Sequence, residues 1–318
     1  MSDPVRIGLL GRGTVGDAFH ELLGERADAV AAAAGRRPEI AGVLRRSEGD
    51  FDAILEASEV VVELIGGTDP ARDYVLRALR AGRHVVTANK QLIAQFGDEL
   101  FDAAREAGVQ LRFEAAVAGV VPVIRVIQES LAATEITKVF GIVNGTTNFI
   151  LSEMASTGAS YADALGRAQE LGYAEADPSD DVGGADAAAK MAILARLAFG
   201  APVALGDVSY EGITEIQPDD IAYAKELGLS LKLLGVAERR GGGISVRVFP
   251  CFLYPRHPLA PVEGPFNAVM VEAPTITEIT GASTSGVEPS FRLTTGSPGS
   301  SDSRSRYRSI RGPGISPP

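Results

Sequence analysis

The sequence predicts an α/β chain of two domains: an N-terminal parallel sheet with helices on both faces, then an α+β domain. Three observations carry this. Short apolar runs alternate with helical patterns through residues 1–115, as in parallel strands joined by crossover helices. A glycine-rich turn, Gly11-Arg12-Gly13-Thr14-Val15-Gly16, separates the first apolar run from the first helical pattern. From about residue 116 strands and helices segregate instead of alternating. A length of 318 residues suits two domains.

Composition narrows the function classes. Hydrophobic residues at 45% and charged residues at 22% are those of an ordinary globular protein. The net charge of -11 lacks the basic footprint of a nucleic-acid binder, so no nucleic-acid partner is expected. The single cysteine, Cys251, excludes an intrachain disulfide and a cysteine-rich metal site. His20, His84 and His257 are too scattered to predict a histidine-built one. No signal-peptide pattern opens the chain, and no apolar run reaches the ~18 residues of a membrane span. A cytoplasmic protein with no membrane partner is the expectation.

Taken in order, Val5–Leu10 reads as strand 1, and a helical pattern runs through Leu22 and Leu23. Between them, Gly11, Gly13 and Gly16 permit a tight turn and let backbone approach a pyrophosphate at a helix N-terminus. This context makes a Rossmann-type dinucleotide site the reading, with a glycine turn of another βαβ unit as the alternative. Ile40–Leu44 is strand 2. NAD-selective sites place an acid after this strand, whereas Arg45 and Arg46 suit a 2'-phosphate and favour NADP(H) over NAD(H). Two solvated arginines are the alternative. Val60–Ile65 is a strand, followed by Gly66-Gly67-Thr68 and a helix from near Pro70. His84–Thr87 is another and ends at Ala88-Asn89-Lys90, placing Lys90 on the sheet edge where ligands bind; a plain surface lysine is the alternative. A helix over Gln91–Ala107 and a strand over Val109–Phe113 complete the domain.

The second domain begins in the small, flexible run Ala115–Pro122, then a helix to about Leu131. A strand over Thr137–Val143 runs into Asn144-Gly145-Thr146-Thr147-Asn148-Phe149, which opens a helix. Capping explains part of that polar run and leaves part unexplained. A helix over Tyr161–Leu171 leads to the segment Gly172–Gly200, where Glu175, Asp177, Asp180, Asp181 and Asp186 precede Lys190. On a helix from Asp186 to Gly200, Asp186 and Lys190 share a face, at one end of a stripe of Ile193, Leu194 and Leu197. An acid and a base aimed at the buried side are unfavourable unless paired or used. A helix-stabilising pair beside a solvated acidic loop is the alternative. A helix near Ala222–Leu227 and strands over Leu231–Ala237 and Gly243–Pro250 follow.

Six motifs, in order, carry a family resemblance: G-L-L-G-R-G-T-V-G (Gly8–Gly16), V-V-E-L-I-G-G (Val61–Gly67), V-V-T-A-N-K (Val85–Lys90), N-G-T-T-N-F-I-L (Asn144–Leu151), G-Y-A-E-A-D-P-S-D-D (Gly172–Asp181) and D-A-A-A-K (Asp186–Lys190). To about Val271 the chain resembles homoserine dehydrogenase. The resemblance implies reduction of L-aspartate 4-semialdehyde to L-homoserine with NADH or NADPH, on the route to threonine, methionine and isoleucine. It implies that Lys190 donates a proton to the carbonyl oxygen, with Lys90 beside the nicotinamide and substrate. It implies that Glu175 binds the substrate ammonium and that Asp181 and Asp186 orient the reacting oxygen. Asp177 and Asp180 are left structural or solvated. Thr14 and Val15 would contact the pyrophosphate, and Gly172 and Glu175 would join the cofactor site. A structural sodium ion would sit at Glu114, Val117, Gly119 and Val121. The second domain would be catalytic and would form a homodimer through its sheet. For Lys190, burial would lower the pKa and the neighbouring carboxylates would raise it.

The end of the chain departs from the family. His257–Val271 fits; a strand, a G-P-G-A-G turn and a helix that covers the nicotinamide are then expected. This chain instead reads Thr280-Gly281-Ala282-Ser283-Thr284-Ser285-Gly286, and from Ser297 it loses apolar periodicity and becomes basic at Arg304, Arg306, Arg308 and Arg311. The expected division is 1–115, 116–272 and a divergent, partly disordered 273–318. A frameshift near Thr280 or a diverged end accounts for the last part, with a basic interaction tail as the alternative. No C-terminal regulatory domain is expected, nor threonine inhibition through one. A catalytically impaired NADP(H)-binding protein is the alternative function.

Overall fold

The computed structural model of the chain describes residues 3–119, 121–274, 276–283 and 290–294, the last two segments in backbone only. Contacts divide the chain after Ala116 into two compact units.

The first unit is a parallel sheet of five strands: β1 (Val5–Leu10), β2 (Pro38–Leu44), β3 (Val60–Glu63), β4 (His84–Thr87) and β5 (Leu111–Arg112). Their order is β2-β1-β3-β4-β5, so the direction of winding reverses between β1 and β3, where open α/β sheets bind ligands. Helices α1 (Thr14–Glu25), α2 (Ala27–Ala34), α3 (Phe51–Ala57), α4 (Ala71–Arg80) and α5 (Lys90–Glu106) make the connections. Leu9, Leu10, Val61 and Val85 are fully buried, which is why the strands read as apolar runs. Sequence patterning misses α2 and α3. Helix α2 is nearly all alanine and buries only Ala27, so it has no apolar period. Helix α3 is short but capped by Asp50, whose carboxylate accepts from the backbone N–H of Asp52 at 2.9 Å. The strand expected over Val109–Phe113 shrinks to Leu111–Arg112.

The second unit opens with a short helix, α6 (Val123–Arg125), that widens into a π-helical turn at Val126–Ser130, where a regular helix to Leu131 is expected. There follow β6 (Lys138–Ile142), α7 (Gly145–Thr157), α8 (Tyr161–Glu170), α9 (Ser179–Val182), α10 (Ala185–Phe199), β7 (Ser209–Tyr210), α11 (Pro218–Glu226), β8 (Ser230–Arg240), β9 (Gly243–Leu253), β10 (Asn267–Ala273), β11 (Ile276–Ser283) and β12 (Ser290–Thr294). Among the described residues the sheet has seven strands in the order β12-β11-β10-β6-β8-β9-β7. It is antiparallel except where β7 pairs with β9. Strands β11 and β12 lie in the segment expected to diverge, and Thr280 pairs with Met270 inside β11. The basic stretch from Ser297 lies outside the described residues.

Helix α10 packs on β6, β8 and β9. The sequence predicts one apolar stripe; the helix is instead enclosed on most sides, with Ala188, Met191, Ala192, Leu194 and Ala195 fully buried and Leu197 only half-buried. Gly141 of β6 and Gly235 of β8 are register partners under it. A Cβ at Gly235 would lie 2.4 Å from Met191 Cγ, and one at Gly141 would lie 3.3 Å from Met191 Sδ. The two glycines form a slot for Met191, and so set the depth of the helix one residue after Lys190.

Candidate functional site

Chemistry-bearing groups gather in two places, one in each unit. In the first, the turn after β1 divides its work among three glycines. Gly11 has φ 100°, and a Cβ there would lie 2.5 Å from Leu64 O. A Cβ at Gly16 would meet Gly11 O at 2.1 Å, so α1 can approach the turn only without a side chain. Beyond Gly13 the space is open. A cavity of about 1020 Å³ lies against this turn, lined by Gly11, Gly13, Arg45, Arg46, Ile65 and Gly66 among others. It therefore joins the ends of β1, β2 and β3 at the winding reversal. Backbone freed of side chains, a helix N-terminus and two guanidiniums suit a phosphorylated nucleotide. Thr14 and Val15 begin α1 and are exposed. Arg45 is tied to Glu48 at 3.3 Å and to its backbone, which shapes the loop at the cavity's rim.

Behind this cavity lies a network that sequence reasoning does not assign. Glu63, at the end of β3, is fully buried. Its carboxylate accepts from the backbone N–H of Ile65 at 2.8 Å and of Gly66 at 3.3 Å, and from the Thr87 hydroxyl at 2.5 Å. Thr87 in turn accepts from Asn89 N–H at 2.9 Å, and Asn89 caps α5 through Leu92 N–H at 3.0 Å while donating to Gly67 O at 2.6 Å. A buried carboxylate with three donors is stable there. The network sets the loop ends after β3 and β4, and hence the place of Lys90, the half-buried first residue of α5. A glutamate closing the run V-V-V-E was the available signal.

In the second unit, the end of β6 and the starts of α7 and α10 converge. Asp186 is 3% exposed. The Lys190 ammonium lies 2.7 Å from Asp186 Oδ2 and donates to Val143 O at 2.8 Å. Asn144, also buried, caps α7 by accepting from Thr147 N–H at 2.8 Å. Its Nδ2 donates to Asp181 Oδ1 at 2.7 Å and to Asp186 Oδ2 at 2.9 Å. Thr146 donates to Tyr173 O at 2.7 Å and lies 3.3 Å from Asp181 Oδ2. Asp181, Asp186 and Lys190 thus meet in one hydrogen-bonded cluster. Glu175 stands exposed with its carbonyl accepting from Gln169, and Gly172 makes the left-handed turn after α8 with φ 75°. Asp177 is exposed, and its hydrogen bonds from Ser179 hold its carboxyl below the usual range. Asn144 is a participant that sequence reasoning leaves among caps; the unexplained polarity of N-G-T-T-N was its trace.

Glu114 lies in a short 3-10 turn of the first unit, and Val117, Gly119 and Val121 belong to the second. Ala118 and Gly119 are both left-handed, with φ 58° and 60°. Such irregular backbone offers carbonyl oxygens, the donor type a hard cation takes. Among the described residues no cluster of three His, Cys, Asp or Glu side chains could hold a metal ion.

Residues 122–288 match the family model described as homoserine dehydrogenase, and residues 11–114 match the one described as homoserine dehydrogenase, NAD binding domain. The chain belongs to the homoserine dehydrogenase family. The match reaches past Val271, where the motif-based resemblance ends, and past Thr280. A homoserine dehydrogenase of Neisseria gonorrhoeae is 44% identical over 290 residues, 86% of this chain and 67% of that protein. The crystal structure of a homoserine dehydrogenase from Thiobacillus denitrificans superposes with TM-score 0.82 at 42% identity, covering 88% of this chain and 69% of that one. A hyperthermophilic archaeal homoserine dehydrogenase, solved in complex with NADPH, gives TM-score 0.74 at 27% identity, covering 90% and 92%. This homoserine dehydrogenase family member spans about two thirds of the length of the curated relatives it matches.

Proposed function

We propose that the chain reduces L-aspartate 4-semialdehyde to L-homoserine with NADPH, supplying threonine, methionine and isoleucine biosynthesis. The observation that carries this is the Lys190 ammonium, held 2.7 Å from buried Asp186 inside a carboxylate cluster of a homoserine dehydrogenase fold. An ammonium has three protons. Two of them face Val143 O and Asp186, and the third is directed at the substrate oxygen. A bound nicotinamide cofactor supplies the hydride. Lys190 passes its proton to the carbonyl oxygen as that carbon is reduced, and Asp186 keeps the ammonium aimed while it does so. Asp181 and Asp186 orient the reacting oxygen. Exposed Glu175 takes the substrate ammonium, a charge-assisted pairing.

Gly11, Gly13, Thr14, Val15 and Gly16 hold the pyrophosphate in this reading, with Lys90, Gly172 and Glu175 completing the cofactor site. The preference for NADP(H) rests on Arg45 and Arg46 at the cavity rim. A sodium ion on Glu114, Val117, Gly119 and Val121 is supported by the left-handed turn at Ala118 and Gly119. A homodimer through the second sheet is supported by the exposure of Tyr210 and Phe252 on its β7–β9 side. A cytoplasmic site of action agrees with there being no helix, among the described residues, long and apolar enough to cross a membrane.

The test pairs two measurements on the purified chain: NADPH oxidation with L-aspartate 4-semialdehyde, and a direct NADPH titration. Turnover is the expected result. Tight NADPH binding without turnover would replace this reading with that of an impaired nucleotide-binding protein.

A further inference from the structure

Asn144 does more than cap a helix. A cap needs only the side-chain oxygen, and serine or aspartate supplies it as well. Asparagine adds a neutral nitrogen with two N–H donors. Here the amide orientation is fixed by its partners: Oδ1 faces the Thr147 N–H at 2.8 Å, and Nδ2 faces Asp181 Oδ1 at 2.7 Å and Asp186 Oδ2 at 2.9 Å. Flipping the amide would set its oxygen against two carboxylates.

Asp181 arrives on α9 and Asp186 on α10, joined by Gly183 and Gly184, so the chain brings the two carboxylates near each other without pairing either of them. Two carboxylates converging on one point repel each other. A shared donor offsets that repulsion without adding a charge, whereas a lysine or arginine there would compete with Lys190 for Asp186. Asn144 is itself anchored. It follows Val143, whose carbonyl accepts from Lys190, and one turn on, Asn148 donates to the carbonyls of Val262, Gly264 and Phe266. The corner between β6 and α7 thus touches the lysine by its backbone and both carboxylates by its side chain.

We propose that Asn144 is a positioning residue: its amide sets the spacing of the Asp181–Asp186 pair and, through Asp186, the aim of the Lys190 ammonium. The inference rests on the reading of Lys190 as proton donor. The charged groups facing Asn144 are Asp181 from α9 and Asp186 and Lys190 from α10.

Two substitutions keep the cap and remove the shared donor. Asn144→Ser leaves a gap between the carboxylates, and Asn144→Asp adds a third carboxylate. Homoserine oxidation with NADP is measured for each, with melting temperature, NADP titration and the Lys190 ammonium titration by nitrogen NMR of labelled protein. The expected result is a kcat about 10–100-fold lower in both, the scale of a lost hydrogen bond to a charged group, with NADP binding and melting temperature near the parent's. The Asn144→Asp variant recovers part of its activity as pH falls, because the protonated carboxyl donates again. In Asn144→Ser the Lys190 titration shifts from the parent's, since the Asp186 oxygen it pairs with has lost its shared amide donor. A kcat within about twofold of the parent in both, with an unmoved Lys190 titration, overturns the proposal. So does an activity loss matched by a fall in melting temperature, with that titration unmoved. A parent that does not oxidise homoserine sinks the proposed function alone, and the Lys190 titration then decides on positioning.

Discussion

Around Gly11 most of the groups offered to a ligand belong to backbone cleared of side chains within six consecutive residues, with Arg45 and Arg46 at the rim. Around Asn144 they are mostly side chains, delivered by α7, α9 and α10 beside the Val143 carbonyl, with Asn144 and Asp186 42 positions apart. The first arrangement is written locally and can only bind. The second is complete only when a sheet and its helices have packed, although its Asp186–Lys190 pair lies within α10. A motif therefore identifies a nucleotide site early, while the chemistry depends on tertiary placement.

The hardest test of that contrast is Lys190→Ala. We expect turnover to fall by about 10²–10⁴-fold, the range for losing a general acid, while NADPH titrates as in the parent. Weakened NADPH binding would show that the division between binding and chemistry is wrong. Gly16→Ala is the counterpart. Its methyl group would be driven into Gly11 O, an overpacking that costs about 1–3 kcal/mol, so the NADPH Kd should rise at least several-fold. An unaltered Kd by fluorescence titration would remove the turn from the cofactor site. Replacing Arg45 and Arg46 together by alanine should weaken NADPH about tenfold, as for a lost charge-assisted hydrogen bond, and leave NADH nearly unchanged. Equal loss for both cofactors would argue against a 2'-phosphate contact.

The smallest effect concerns Lys232 of β8, 4% exposed, with its ammonium 2.5 Å from Val262 O. Burial pushes its pKa down to about 8, against a smaller opposing pull from Glu263. Between that value and the ordinary 10.5 the unfolded chain holds more protons than the native one, so this group makes stability rise with pH across the window. Urea midpoints at pH 7.5 and 10 should differ less in Lys232→Met than in the parent. Equal differences would mean that the lysine does not titrate in the native unit.

Legibility followed the same line. The strands of the first unit, the glycine turn and the Asp186–Lys190 pair are readable because period and spacing are local properties. Helix α2 escaped because alanine gives no period, and the π-helical turn after Arg125 because its residues, V-I-Q-E-S, carry no local mark of the widening. The Glu63–Thr87–Asn89 network escaped because its members become neighbours only when β3 and β4 pair, Glu63 opposite Thr87. Asn144 was visible as a cap and hidden as a bridge. Its second partner sits on a helix whose depth no local pattern states.

That depth is settled by Met191 seated over Gly141 and Gly235. The consequence is a separation of duties within a few residues. The sheet calibrates where Lys190 stands, while Glu175, Ala176 and Asp177 lie exposed in the loop before α9. Substitutions at those exposed loop positions leave the lysine at its mark.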